Sequence, residues 1–173
     1  FPILSLIDLP DLQKKNAENY VKNEYSLSNN LEPIIKKSPN KKIRIGYYSA
    51  DFNNHPTSFL IIQLLELHDR SNFEIFCFSL ANRKDDEMRK RVLNACDKFL
   101  DVSLKSDQEI AKISRDLNID IACDVMGFTK GNKFQIFAEK CAPIQVSYLA
   151  FPGTTGANFI DYVIADKTVI SQE

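Results

Sequence analysis

The residues with the widest chemical scope lie between Lys42 and Leu60, a stretch that reads K-I-R-I-G-Y-Y-S-A-D-F-N-N-H-P-T-S-F-L. His55 stands immediately before Pro56, and Pro56 opens an apolar, leucine-rich segment, Phe59 to Leu67, too long for a strand. Proline suits the first helical turn, where its missing N–H would have no partner anyway. His55 is therefore expected at or beside the N-cap of a helix. Unpaired backbone N–H groups and the positive end of the helix dipole beside the ring disfavour an imidazolium. A neutral ring there could accept a proton, and the same N–H groups would welcome a phosphate or another anion. A surface or capping histidine fits the same pattern.

Further candidates follow from glycine placement. Gly46 sits within an apolar run, whereas the other four of the five glycines fall in two loops. Gly127 and Gly131 punctuate D-V-M-G-F-T-K-G, and Gly153 and Gly156 punctuate F-P-G-T-T-G. Glycine lets backbone N–H groups approach a ligand closely, although turn geometry alone also calls for it. Asp124, at the start of the first loop, is expected to cap loop N–H groups rather than to act directly. Lys130 could meet phosphate or only water. His68, in L-H-D-R, is read as a solvated residue or a helix terminus.

The elements that must position these groups alternate. Strands are expected at 43–49, 73–80, 98–102, 119–125, 144–149 and 161–165, from runs rich in β-branched and aromatic residues. Helices are expected from Pro56 to Leu67, at 85–95, at 106–117 with a Ser106/Glu109 capping box, and more briefly at 132–140. That alternation implies a Rossmann-like, doubly wound parallel α/β sheet. The His55 loop and both glycine loops would then leave the carboxyl ends of strands, where such sheets bind ligands. An amphipathic helix is expected at 11–25 and a linker at 26–42. This places a boundary near residue 40, with 1–40 a linker segment carrying a helix and 41–173 the domain.

Bulk properties narrow the class. The 173 residues carry 22 basic and 23 acidic side chains, a net charge of −1, which gives no footprint for nucleic acid or an anionic membrane. Cys77, Cys96, Cys123 and Cys141 are widely spaced without a CxxC, so reduced thiols are expected rather than a disulfide framework or a metal site. With no run of transmembrane length, a cytoplasmic setting is expected. There is no GxGxxG after the first strand, no GxxxxGK[ST], no GxSxG and no Asp-x-Asp pair for a metal-bound nucleotide sugar. The first residue is Phe1 and the chain stops just after an apolar run, which reads as a piece of something longer.

Four segments in register carry a resemblance: I-R-I-G-Y-Y-S-A-D-F-x-x-H-P, L-H-D-R-S-N-F-E-I-F-C-F-S-L, I-D-I-A-C-D-V-M-G-F-T, and A-P-I-Q-V-S-Y-L-A-F-P-G-T-T-G-A-N-F-I-D-Y-V-I-A-D. Over roughly residues 41 to 170 the chain resembles the catalytic region of the O-linked N-acetylglucosamine transferase family, SPINDLY-type and bacterial tetratricopeptide-linked members above all. The resemblance implies the amino-terminal lobe of a GT-B glycosyltransferase, inverting and metal-independent, acting on Ser or Thr hydroxyls of a protein or peptide. It implies no cofactor but a nucleotide-sugar co-substrate, UDP-GlcNAc foremost. It also implies a tetratricopeptide array and a second, donor-binding lobe as partners within the parent chain. His55 matches the family's essential histidine, either a general base or a group that positions acceptor or sugar. Thr57, Asp124, Thr129, Pro152, Gly153 and Thr154 match positions lining the cleft. Phe59, Phe128 and Phe151 depart from the family's usual histidine and tyrosines. Ala150 stands where glycine is usual, and its methyl group would narrow the sugar or acceptor site. The competing expectations are a Rossmann-like interaction module without catalysis and a small nucleotide-binding regulator, the latter without a phosphate fingerprint.

Overall fold

The structure, a computed structural model, describes residues 3–25, 31–34 and 41–170. Six strands form one sheet in the order β3-β2-β1-β4-β5-β6, and every neighbouring pair is parallel. They are β1 (Ile43–Ser49), β2 (Phe73–Ser79), β3 (Lys98–Asp101), β4 (Ile121–Asp124), β5 (Ile144–Tyr148) and β6 (Tyr162–Ile164). The chain winds outward from β1 to β3, then crosses back to β4 beside β1, which makes the β1/β4 junction the switch point of the sheet.

Alternation along the central strands explains why both faces are covered. Ile45 and Tyr47 of β1, Ile75 and Cys77 of β2 and Cys123 of β4 enter one apolar cluster with Ile61, Ile62, Leu65, Met88 and Val92. Those partners belong to α3 (Pro56–Leu67) and α4 (Glu87–Ala95). Tyr48, Phe76, Phe78 and Ala122 point the other way. They pack with Ile110 and Ala111 of α5 (Asp107–Asp116) and with Ile136 and Phe137 of α6 (Gln135–Ala138). Tyr48 stacks on Phe78 at 4.3 Å and donates its hydroxyl to Ser114 Oγ at 2.6 Å, so its one polar atom is satisfied in the core.

Local signals place the helix ends. Ser106 and Glu109 form the reciprocal capping box that opens α5, and Asp86 caps α4 by accepting from Arg89 N. Asn118 and Lys140, at φ +51° and +55°, turn the chain after α5 and α6 in the left-handed region. The helix expected over 132–140 is regular only over Gln135–Ala138, because the Asn132 side chain takes Phe134 N and the bonds from Ile136, Phe137 and Lys140 N are of the tighter i→i−3 kind. The bulk of the expected linker, 26–30 and 35–40, lies outside the described residues.

The amino-terminal helices α1 (Ile3–Leu6) and α2 (Pro10–Glu24) lie against loops at the carboxyl edge of the sheet. Ala17 and Val21 of α2 are buried, and Tyr20 and Tyr25 contact Phe128 edge-to-face and stacked, with centroids 5.1 and 6.2 Å apart. The closest approach is at Gly156, φ +62°, where a Cβ would stand 2.6 Å from Glu18 N and 2.8 Å from the Ala17 carbonyl carbon. Only glycine lets the backbones meet there. Gly156→Ala is expected to cost about 2 kcal/mol, from left-handed strain alone, and to loosen α2. Amide exchange should accelerate over 10–24 while β1 and β2 keep their protection; unchanged exchange in α2 would refute this docking.

Candidate functional site

The β1–α3 connection turns His55 into the N-cap of α3. Its φ and ψ of −140° and 145° are extended, and its Nδ1 accepts from Thr57 N at 3.3 Å. A neutral ring whose Nδ1 lone pair is engaged carries its proton on Nε2, which makes that edge a hydrogen-bond donor. The side chain is 43% exposed, and Asp51 Oδ2 lies 3.7 Å from Nδ1. A ring turned to carry Nδ1–H toward Asp51 would instead present Nε2 as an acceptor. Asp51 is nearly buried, with its carbonyl accepting from Ser58 Oγ at 2.6 Å. Thr57 is buried as well, and its backbone N–H is what orients His55.

The loop after β4 begins at Asp124, whose Oδ1 and Oδ2 accept from Met126 N (3.0 Å) and Gly127 N (2.9 Å). The carboxylate thus shapes the loop, as the sequence suggested. Burial pushes its pKa up to about 7, against the opposing pull of those two N–H donors. Thr129 spends its hydroxyl on Met126 O at 2.9 Å. Gly127 has φ +55°, and a Cβ on it would fall 2.4 Å from Phe151 Cβ. Phe128 and Phe151 meet edge-to-face at 5.2 Å, joining this loop to the next. Phe128 also meets the Phe134 ring edge-to-face, at 5.0 Å.

After β5 the chain passes through Leu149 and Ala150 at φ +60° and +58°. Two successive non-glycine residues in the left-handed region are strained, by ~1–2 kcal/mol each, and strain of this kind concentrates at functional sites. The observation explains why glycine suits position 150. Beyond it, Pro152 and Thr154 are exposed, Gly153 lies against Leu4 of α1, and Thr154 Oγ1 accepts from Gly156 N at 3.2 Å.

All three loops leave adjacent strands of one edge, β1, β4 and β5, and they touch. Met126 Sδ accepts from Ala50 N and Ser49 Oγ, both at 3.3 Å, and Gly131 lies beside the Ala50 methyl. The structure therefore brings the His55 and Asp124–Thr129 loops together, and joins the Pro152–Thr154 loop to the second through Phe151. Lys130 is exposed at the rim. Among the described residues no three His, Cys, Asp or Glu side chains form a set that could hold a metal ion.

His68 is the C-cap of α3, and it is half-buried rather than solvated: Nε2 lies 2.8 Å from Tyr47 Oη and the ring tilts against Phe73. Burial and the neighbouring Arg70 lower its pKa. Three residues that the sequence alone did not single out for the site, Arg83, Asp86 and Arg89, reach the His55 loop from the β2–α4 connection and α4. The acidic start of α4 was the visible signal. Its partner, the backbone of a distant loop, was not.

Ala150→Gly should raise stability by about 0.5–1 kcal/mol, since relief of left-handed strain exceeds the extra chain entropy of glycine; a loss on chemical denaturation would count against the strained turn. For Asp124 the sign follows from a folded pKa near 7 against an ordinary value near 4. The folded state binds the proton more tightly, so the contribution of Asp124 to stability is fully present below about pH 4 and declines as pH rises through about 7. Asp124→Asn should remove that slope, and an identical slope in both proteins would rule it out.

The chain has counterparts among known proteins. A model of glycosyl transferase family 41 matches residues 16–172. A probable UDP-N-acetylglucosamine–peptide N-acetylglucosaminyltransferase SEC of Arabidopsis thaliana is 45% identical over 137 residues, covering 79% of this chain and 14% of the relative. The UDP-N-acetylglucosamine–peptide N-acetylglucosaminyltransferase of Caenorhabditis elegans is 41% identical over 128 residues, 73% of this chain and 11% of its own. Among solved structures, a mutant of the Thermobaculum terrenum O-GlcNAc transferase superposes with a TM-score of 0.79 at 27% identity, covering 91% of this chain and 30% of that one. The chain thus spans a small part of each relative. With a family model matched along nearly its whole length and a relative at 45% identity, the chain belongs to glycosyl transferase family 41.

Proposed function

We propose that this chain is the amino-terminal lobe of the catalytic region of a protein O-glycosyltransferase. In this reading the parent moves N-acetylglucosamine from UDP-GlcNAc to Ser or Thr hydroxyls of protein or peptide acceptors, with inversion and without a metal. The observation that carries it is the family match over 16–172, together with two relatives whose names specify that donor and a peptide acceptor. A second, donor-binding lobe and a tetratricopeptide array in the parent chain complete the proposal.

His55 is the residue we assign to the reaction. Its Nε2 edge is the free polar edge of a ring fixed at a helix N-terminus, and it is 43% exposed at the carboxyl edge of the sheet. From there it can donate to a sugar or acceptor oxygen, or accept the hydroxyl proton after a tautomer change. Thr57, Asp124, Thr129, Pro152, Gly153 and Thr154 form the proposed cleft wall. Asp124 would act by holding loop backbone through the N–H groups of Met126 and Gly127, and Thr57 through the N–H it donates to His55 Nδ1. Among the described residues no helix is long and apolar enough to cross a membrane, and all four cysteines are free thiols. Those thiols support a reducing, cytoplasmic setting.

The test is sugar transfer by the full-length parent, wild type beside His55→Ala, across a panel of UDP- and GDP-sugars with and without EDTA. Transfer from UDP-GlcNAc that survives EDTA and falls at least about a hundredfold in the variant is the expected outcome. A folded parent that transfers from no donor would reject the reading in favour of a binding module.

A further inference from the structure

The loop that carries His55 has only six residues between the end of β1 and the start of α3, and much of what holds its backbone comes from elsewhere. At its amino end, Arg83 Nε donates to Ala50 O at 3.0 Å, and Arg83 Nη2 lies 3.5 Å from Asp51 Oδ1. In the middle, the buried Arg89 donates to Phe52 O at 3.4 Å. At its carboxyl end, Asp86 Oδ2 accepts from Asn54 N at 2.8 Å, one residue before His55. Residues 83–89 thus form a strap whose donors grip the amino end and middle of the loop and whose acceptor grips its carboxyl end.

The strap is itself anchored. Arg89 also donates to Ser79 Oγ and Asp101 Oδ2, both at 3.1 Å, and stands 4.8 Å from the centre of the Phe99 ring. Asp86 uses its other oxygen to cap α4, accepting from Arg89 N at 2.8 Å. One carboxylate therefore joins the first turn of α4 to the residue preceding the N-cap of α3. A shift of that carboxylate moves Asn54 and, through one peptide unit, the His55 ring.

We propose that Asp86, supported by Arg83, is a positioning residue for His55, holding the β1–α3 loop so that the imidazole is presented at the sheet edge in one orientation. The proposal rests on the transferase reading above. It makes the strap a determinant of turnover, because reacting groups displaced by an ångström lose rate far more than binding.

Asp86→Ser separates the two tasks of the carboxylate. Serine is a good N-cap and keeps the start of α4, but its short side chain cannot also reach Asn54 N. In the full-length parent, the variant should lose about tenfold or more in kcat, with KM for donor and acceptor within about twofold of wild type. Its melting temperature should stay within about 2 °C, while amide exchange over 52–58 accelerates. Asp86→Asn, which retains a capping oxygen but offers an NH2 group to Asn54, should behave alike. Unchanged exchange over 52–58 in both variants would overturn the proposal, as would faster exchange with wild-type kcat. A fall in melting temperature that accounts for the whole activity loss would also overturn it. A wild-type parent without transfer would defeat the transferase reading instead, and the exchange measurement would still decide whether Asp86 holds the loop.

Discussion

Everything at the proposed site depends on the six strands running parallel and in register. Parallel pairing sends every strand's carboxyl end to one edge, and the crossover from β3 back to β4 sets β1, β4 and β5 side by side. Three loops far apart in sequence therefore emerge as neighbours. The sheet supports this only because both faces are dry: Tyr47, Cys77 and Cys123 face one helical layer, and Tyr48, Phe76 and Phe78 face the other. Burial on this scale also raises the pKa of the Cys77, Cys123 and Cys141 thiols, the last to about 12, so they behave as apolar filler rather than as nucleophiles.

Above the sheet, polar and aromatic side chains convert loop backbone into fixed geometry. Asp124 and Thr129 spend their oxygens within their own turn, and Asp86 spends its two on two different elements. Phe128 sits among Tyr20, Tyr25, Phe134 and Phe151, tying α2 to both glycine loops at once. Such ring pairs favour edge-on and offset contact, which sets angle as well as distance. His55 keeps a partly exposed ring beside this arrangement. A site built so leaves the chemistry to few groups and assigns the rest to holding them.

The cost of that rigidity appears in the backbone. Leu149 and Ala150 occupy the left-handed region where β5 gives way to its loop, and Gly127 and Gly156 sit where a side chain would collide with Phe151 or α2. The tight turn after β5 bends the chain back toward α1 and α2. The amino-terminal helices therefore pack directly against the loop cluster, Leu4 against Gly153 and Ala17 and Glu18 against Gly156.

Taken alone, the sequence determined the alternating elements, the parallel α/β class, the N-cap position of His55, the capping role of Asp124 and the membership signalled by the four motifs. Apart from the motifs, each of those is local: periodicity, a proline at a helix start, a carboxylate before a glycine turn. Tertiary structure decided the rest because it depends on contacts between residues remote in sequence. The docking of α2 needed Gly156 and Phe128 to arrive under it, across more than a hundred residues. His68 became half-buried because Tyr47 and Phe73 close around it, and Arg83 and Asp86 became neighbours of His55 because β2 pairs with β1. Side-chain periodicity reports which face a residue takes, but only strand order reports whom it meets there.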